Sequence, residues 1–336
     1  MPTVMDHLLR TVGHLPIPGV RGVVWRLGSV LKRRQSVDFE TDFEGMRYRG
    51  RLDDLIDWNL FFFGKYSPQE LDFLAVAARV MGGTAGGSSY FDVGANVGQH
   101  ALFMSKHAAR VVAFEPSSAA RERFLANVAL NGLANVRLFA VALGDSDMEA
   151  KLGSGFEGNT GSRSLTWTLD EHRIETVAVR RGDDLIRSER LPRMDILKLD
   201  VEGYEKRVLL GLREHLLTDR PVILMELIGE SEKGGFRDEA ELRNSLYPSH
   251  RLFTLVSGRR ARLAPFDWNG EAAVCLPEER VSAFRSILQG EPWATRRDCY
   301  MEPSRIACST SNPIKSDARN SRVRLENSGM KAHPQC

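Results

Sequence analysis

No stretch of the 336 residues holds the roughly 20 consecutive apolar side chains that a spanning helix needs. The N-terminus also lacks the uninterrupted apolar core of a secretory leader. Cysteine is scarce: Cys275, Cys299, Cys308 and Cys336 are scattered, with no C-x-x-C pair and no histidines at ligand spacing. A zinc centre or a disulfide framework is therefore not expected, and the pattern suits a reducing cytoplasm. Charge of one sign is missing too. Lys and Arg number 46 against 44 Asp and Glu, a net charge of +2, which removes any global electrostatic case for nucleic acid. What is present, 42% hydrophobic and 27% charged residues, is an ordinary soluble globular composition. The length allows one large α/β domain with additions, or two smaller ones.

Tyr90 to His100, YFDVGANVGQH, organises the chain. Tyr90, Phe91 and Val93 are residue types of a buried parallel strand. Gly94 and Gly98 bracket a tight turn, and Gln99 to Ala109 can continue as a helix. Strand, glycine turn and helix open a doubly wound α/β domain, whose ligands sit beyond the carboxyl ends of the strands. Gly94 lets backbone approach a ligand closely. Asn96 stands where a dinucleotide fingerprint has its second glycine, the one that admits a pyrophosphate. With Asp92 just upstream, the turn favours a ligand without a pyrophosphate but with a positive group. S-adenosylmethionine has that chemistry, and Asp92, Gly94, Asn96 and Gly98 are its candidate contacts.

The next strand, Arg110 to Phe114, ends in Glu115-Pro116. An acid at this point, roughly 20 residues beyond the turn, bonds ribose hydroxyls in dinucleotide sites. The competing role is a cap or first-turn acid for the helix beginning near Ser117. The spacing favours the ribose. Val136 to Ala142 reads as the third strand, and the Leu143-Gly144 loop after it is placed beside an adenine.

Ile196, Leu197, Leu199 and Val201 read as a central strand with Asp200 and Glu202 at its carboxyl end. Side chains two apart on an extended chain point the same way, so both acids face one pocket if the strand persists. Glu202 and Glu205 are alternatively first-turn helix acids. Asp200 is costly inside a buried strand without a partner, and Lys198 has the parity to supply one. Val222 to Met225 forms a further strand with Glu226 at its end, a third acid at the same rim. Three such acids can hold a divalent cation, but a bare carboxylate count is unspecific and no metal is assigned.

Around this centre the chain divides into residues 1–66, 67–300 and 301–336. In residues 1–34, Arg10, Arg21, Arg26, Lys32, Arg33 and Arg34 face one acid, Asp6. Val20, Val23, Val24, Leu27, Val30 and Leu31 fall at helical spacing. This basic amphipathic helix either docks on the domain or lies peripherally on an anionic membrane surface. The aromatic run Phe61-Phe62-Phe63 packs or walls a pocket. Ser67-Pro68-Gln69-Glu70 starts a helix. Residues 146–180 form an insertion with short strands and a polar loop at 158–164. Arg251 to Val256 and Ala272 to Leu276 close the sheet as an antiparallel pair, and the 301–336 tail reads as disordered.

FDVGANVGQH, AFEPS, LANVALNG, VALGD, DILKLDVEGYE and PVILME together resemble the FkbM-type methyltransferases of the class I S-adenosylmethionine-dependent fold. The resemblance covers roughly residues 60 to 280. It implies a doubly wound Rossmann-like sheet, mostly parallel with an antiparallel final strand. It also implies methyl transfer to oxygen on a saccharide, glycolipid or other small-molecule or lipid-linked acceptor. The cofactor contacts carried over are Asp92, Gly94, Asn96, Gly98, Glu115, Pro116, Leu143 and Gly144; the acceptor side is Asp200, Glu202 and Glu226. Such proteins often have G-x-Y-E where this chain has Gly64-Lys65-Tyr66-Ser67, and Leu-Asp-Asp where it has Gly182-Asp183-Asp184. An RNA methyltransferase is the alternative enzyme, since Asn127 and Asn131 suit its Asn-rich segment, although the Asn-Pro-Pro-aromatic run for base nitrogens is missing. A catalytically silent cofactor-binding scaffold is the non-enzymatic alternative.

Overall fold

The computed structural model describes residues 2–14, 19–32, 37–82, 87–154, 163–164, 174–227 and 235–288. Most of the 158–164 loop and all of the 301–336 tail lie outside them. The chain opens with helices α1 (Val4–Gly13) and α2 (Val20–Lys32), the hairpin β1 (Asp38–Phe43) and β2 (Met46–Arg51), then α3 (Leu55–Phe63) and α4 (Pro68–Gly82). The first wound unit is β3 (Ser89–Val93), α5 (Gln99–Met104), β4 (Arg110–Phe114), α6 (Ser118–Leu130) and β5 (Val136–Phe139). Then come β6 (Ala142–Gly144), β7 (Met148–Ser154), β8 (Arg163–Ser164), β9 (Glu175–Arg181) and α7 (Gly182–Ser188). The second half runs β10 (Ile196–Leu199), α8 (Glu205–Gly211), α9 (Arg213–Asp219), β11 (Val222–Glu226), α10 (Glu239–Ser245), β12 (His250–Leu255), β13 (Leu263–Pro265) and β14 (Ala272–Pro277).

The large sheet has eight strands in the order β13-β12-β14-β11-β10-β3-β4-β5. β11, β10, β3, β4 and β5 pair in parallel. β14 runs antiparallel between β11 and β12, so the final strand is reversed as expected, and a short reversed strand, β13, adds an edge. This is the expected doubly wound α/β sheet. The strand order turns back between β3 and β10, where such folds place their ligands.

Side chains alternate across the central strands into two cores. Tyr90, Ile196, Val222 and Leu224 join the face covered by α4 and α5. Phe91, Val93, Leu197, Leu199, Ile223 and Met225 join the opposite face. Lys198 and Asp92 sit opposite one another in register and share the α4–α5 face. A charge on each of two neighbouring central strands is costly unless they meet. That is the first structural sign of the site.

Three expectations change. The third strand does not run to Ala142: it ends at Phe139, the chain bends at Ala140–Val141, and β6 joins a separate four-stranded sheet, β6-β9-β7-β8. Among the described residues β5 is the edge of the large sheet and only half-buried, and none of their strands pairs beyond it to hold the chain in that plane. The helix after the glycine turn is six residues long and ends at Met104. Asn127 and Asn131 point at protein, not at nucleic acid: Asn127 accepts from Arg49 N (2.8 Å) and donates to Arg49 O (3.0 Å), and Asn131 does the same with Arg47 (2.9 and 2.7 Å). Residues four apart on a helix share a face, so two asparagines extend the β2 ladder onto α6. The aromatic run is core: Phe61 and Phe62 are buried, and Phe62 lies 4.7 Å from Trp58 between ring centroids.

Candidate active site

At the end of β3, the amides of Gly94 and Ala95 both donate to Phe114 O, at 3.0 and 3.1 Å. This double bond to one carbonyl folds the turn over β4. Gly94 has φ +83°, and a Cβ there would lie 1.9 Å from Asp200 O. A Cβ on Gly98 would lie 2.2 Å from the Phe124 ring. Both glycines are thus required by the protein's own packing, where the sequence reading had backbone approaching a ligand at Gly94. Asn96 takes φ +49°, a left-handed conformation asparagine tolerates. Its amide donates to Glu115 Oε2 at 2.8 Å, and Glu115 Oε1 accepts from Ser117 N at 2.7 Å. One carboxylate ties the first turn to the start of α6. Ser117 supplies the cap, its side chain accepting from Ala120 N. Pro116 O accepts from the Arg121 guanidinium.

Leu143 and Gly144 lie in β6. The Leu143 side chain is buried in the second core, and Gly144 is pressed against Val179, Tyr204 and Gly211: a Cβ on Gly211 would sit 1.7 Å from Gly144 O. Only backbone of this segment is left to meet a ligand.

β10 ends at Leu199, so Asp200 to Gly203 is a turn, not extended strand. Asp200 N still donates to Val93 O at 3.1 Å, prolonging the ladder by one bond. The chain then reverses through Glu202 at φ +54° and Gly203 at φ +97°. A left-handed conformation is uncommon for a glutamate. Glu205, the first residue of α8, accepts from Val201 N (3.0 Å) and Gly203 N (3.1 Å) and holds this turn. The result is the expected convergence by an unexpected route. Carboxylate oxygens of Asp200, Glu202 and Glu226 all lie within 4.8 Å of one another.

Such a group of like charges must be neutralised. Lys198 Nζ, with its side chain only 4% exposed, donates to Asp200 Oδ2 at 2.8 Å. Burial opposes the charge on Asp200, but the Lys198 ammonium and a hydrogen bond with Glu226 outweigh it and hold Asp200 at about 2. Burial opposes the Lys198 charge as well, and Asp200 and Asp92 together keep that ammonium protonated. Glu226 is pushed well above the carboxylate range by burial and by the Asp200 charge, so its proton is donated to Asp200. Glu202 is raised to about 8 by burial, then by Asp200 and Glu205. At neutral pH the cluster holds an anionic Asp200, a cationic Lys198 and two protonated glutamates.

Beneath it lie groups the sequence reading did not select. His100 Nε2 is 3.1 Å from Glu70 Oε2, and Glu70 is one of the acids that favour the Lys198 ammonium. Buried Tyr90 sits beside Asp92, whose carboxyl is raised first by burial. Glu70 reads in the sequence as a helix-start acid, and no local signal shows that it reaches across to α5.

The titration has a consequence for stability. A carboxyl raised in the folded state binds its proton more tightly folded than unfolded, so stability falls as pH climbs from the unfolded value through the folded one. Melting temperature should therefore decline between about pH 4.5 and 8, the interval set by the ordinary and raised values of Glu202. Glu202→Gln should flatten that slope. A slope identical in the variant would contradict the assignment.

Residues 92–254 match the methyltransferase FkbM domain. The AMB antimetabolite synthetase AmbE of Pseudomonas aeruginosa is 27% identical over 296 residues; the match covers 70% of this chain and 14% of the synthetase. The hexuronic acid methyltransferase AglP of Haloferax volcanii is 29% identical over 172 residues, covering 51% of this chain and 70% of that protein. The crystal structure of methyltransferase FkbM from Methylobacillus flagellatus KT is similar with a TM-score of 0.39 at 16% identity, over 56% of this chain and 43% of that one. The chain therefore spans a small part of the synthetase and less than half of the crystallised protein. The segment that matches the methyltransferase FkbM domain, residues 92–254, holds the turn after β3 and all three converging acids.

Proposed function

We propose that the chain is an S-adenosylmethionine-dependent O-methyltransferase acting on a hydroxyl of a saccharide, glycolipid or secondary metabolite. The observation that carries this reading is the meeting of Asp200, Glu202 and Glu226 beside the turn that follows β3. AglP, whose name specifies a hexuronic acid, supports the saccharide end of the range. The residues fit the cofactor: the Oδ1 of Asn96 is buried at the turn without a hydrogen-bond partner among the described residues, which suits a donor group on a ligand. Glu115 would receive the ribose, and Asp92, Gly94, Gly98, Pro116, Leu143 and Gly144 would surround the remainder, the last two by backbone.

Bound S-adenosylmethionine supplies a methyl already activated by its sulfonium. The protein's part is then alignment, exclusion of water and one proton. Anionic Asp200, fixed by Lys198, accepts a hydrogen bond from the acceptor hydroxyl and orients it. Glu202 accepts the acceptor proton only in its ionised form, whose share grows as pH rises towards about 8. Glu226 keeps its proton and steadies Asp200.

Glu115→Ala tests the cofactor half. Calorimetry should show S-adenosylmethionine binding to the wild type, weakened at least about tenfold in the variant, because a charged hydrogen-bond acceptor is lost. The variant also strands the amides of Asn96 and Ser117, at a stability cost of about 1 to 3 kcal/mol. Wild type that binds no S-adenosylmethionine would overturn the reading. Mass spectrometry of a deletion strain against its parent tests the acceptor half: one class of saccharide, glycolipid or metabolite should lose a CH₂.

A further inference from the structure

Among the described residues nine large apolar side chains are exposed, and five of them lie on α1 and α2: Val4 (88%), Met5 (52%), Leu8 (57%), Val23 (56%) and Leu27 (48%). The clustering is too strong for scattered surface residues. It is not a sign of a badly docked hairpin, because the other faces of the same helices are well packed. Leu9 and Val24 are buried in the main core, Trp25 meets Trp58 edge to face at 4.6 Å, and Arg10 and Arg21 lie over the rings of Phe61 and Phe63 at 5.2 and 5.0 Å. The two helices are therefore anchored, and their outer faces are left apolar.

Charge decides what those faces meet. Asp6 is the only acid before Asp38, and it is buried, accepting from Thr3 N (2.6 Å) and Thr3 Oγ1 (2.7 Å) to cap α1. Outward, the described residues of the helices show these apolar side chains, neutral polar ones such as His7 and Thr11, and Arg26 beside Leu27, with no exposed acid; Lys32-Arg33-Arg34 follow in the sequence. A second copy would bring like charges together. Nucleic acid would leave the apolar side chains unsatisfied. Apolar side chains flanked by cations match a lipid surface with anionic headgroups.

We propose that the outer face of α1 and α2 docks this chain, as a peripheral protein, on an anionic membrane surface. Docked, it inserts Val4, Met5, Leu8, Val23 and Leu27 among the acyl chains near the headgroups, and the basic residues pair with lipid phosphates. The proposal does not depend on the methyl donor or on the acceptor.

The test is co-sedimentation of the full chain with vesicles of phosphatidylcholine alone or mixed with phosphatidylglycerol. The chain should pellet with the mixed vesicles, stay in solution with the neutral ones, and be released as salt rises. Leu8→Glu with Leu27→Glu should lower the partition coefficient more than about tenfold, since two leucines lose their insertion. Arg26→Ala should lower it about fivefold. The melting temperature should not move in either variant, because all three side chains are exposed. Wild type that stays in solution with both vesicles overturns the proposal. So does a leucine variant that pellets like wild type. Concentration-dependent self-association that the leucine variant abolishes, without vesicle binding, would assign the face to a second copy instead.

Discussion

Asp200→Asn should lower turnover by at least about 10²-fold while leaving S-adenosylmethionine affinity within a few fold. The substitution keeps the shape and removes the anion that Lys198 and Glu226 both address. Lys198 is then a buried ammonium left with the charges of Asp92 and Glu70, and breaking such a pair costs about 3 kcal/mol, since Asp200 itself is a third exposed. Chemical denaturation measures that part without any acceptor. Adding Lys198→Met should restore much of the stability and none of the turnover. Recovery of turnover in the double variant, or an unchanged single-turnover rate in Asp200→Asn, would mean that the carboxylate serves the fold only. Loss of cofactor binding with chemistry intact would move Asp200 to the cofactor side and leave Glu226 as the acid to examine.

Gly94→Val should abolish the folded protein, or lower its stability by about 4 kcal/mol or more, which for a domain of this size is a drop in melting temperature of roughly 10 °C. Two penalties coincide: a β-branched residue at φ +83°, and a Cβ 1.9 Å from the carbonyl oxygen of Asp200. The outcome differs from that of a ligand-facing glycine, whose substitution would leave a folded protein unable to bind. Thermal melts of Gly94→Ala and Gly94→Val without cofactor separate the two. A fully folded Gly94→Val protein with wild-type melting would show that the β3 turn and the β10 turn are not in contact in solution.

The sheet was legible because its central strands are short runs of Val, Ile, Leu and Phe closed by Gly or an acid, a pattern fixed by local chemistry. The three acids were legible for the same reason, since each follows such a run. Their charges were not. Whether Glu226 carries a proton depends on Asp200 beside it, and whether Asp200 keeps its charge depends on Lys198, which the parity of one strand did suggest. The Lys198–Asp92 pairing depends on the register between strands about a hundred positions apart, which no local window contains. The Glu70–His100 contact has the same character. Asn127 and Asn131 show the reverse error: a motif suited to ligand chemistry turned out to grip a neighbouring strand. The end of β5 was misplaced because Val136 to Ala142 is apolar but for Arg137, while among the described residues no strand lies beyond the edge to hold the chain in the sheet.

The contact between Gly94 and Asp200 has a thermodynamic meaning. The turn that would cradle the donor and the turn that would handle the acceptor share one wall, with Asp200 N bonded to Val93 O and the Asp200 carbonyl and Val201 side chain closing the space above Gly94. Any settling of residues 94–98 around a bound molecule would press on the backbone of Asp200. Such a linkage would couple the two sites reciprocally, each ligand changing the affinity for the other by the same factor. Titrations of S-adenosylmethionine with and without acceptor would register it as a shift in affinity.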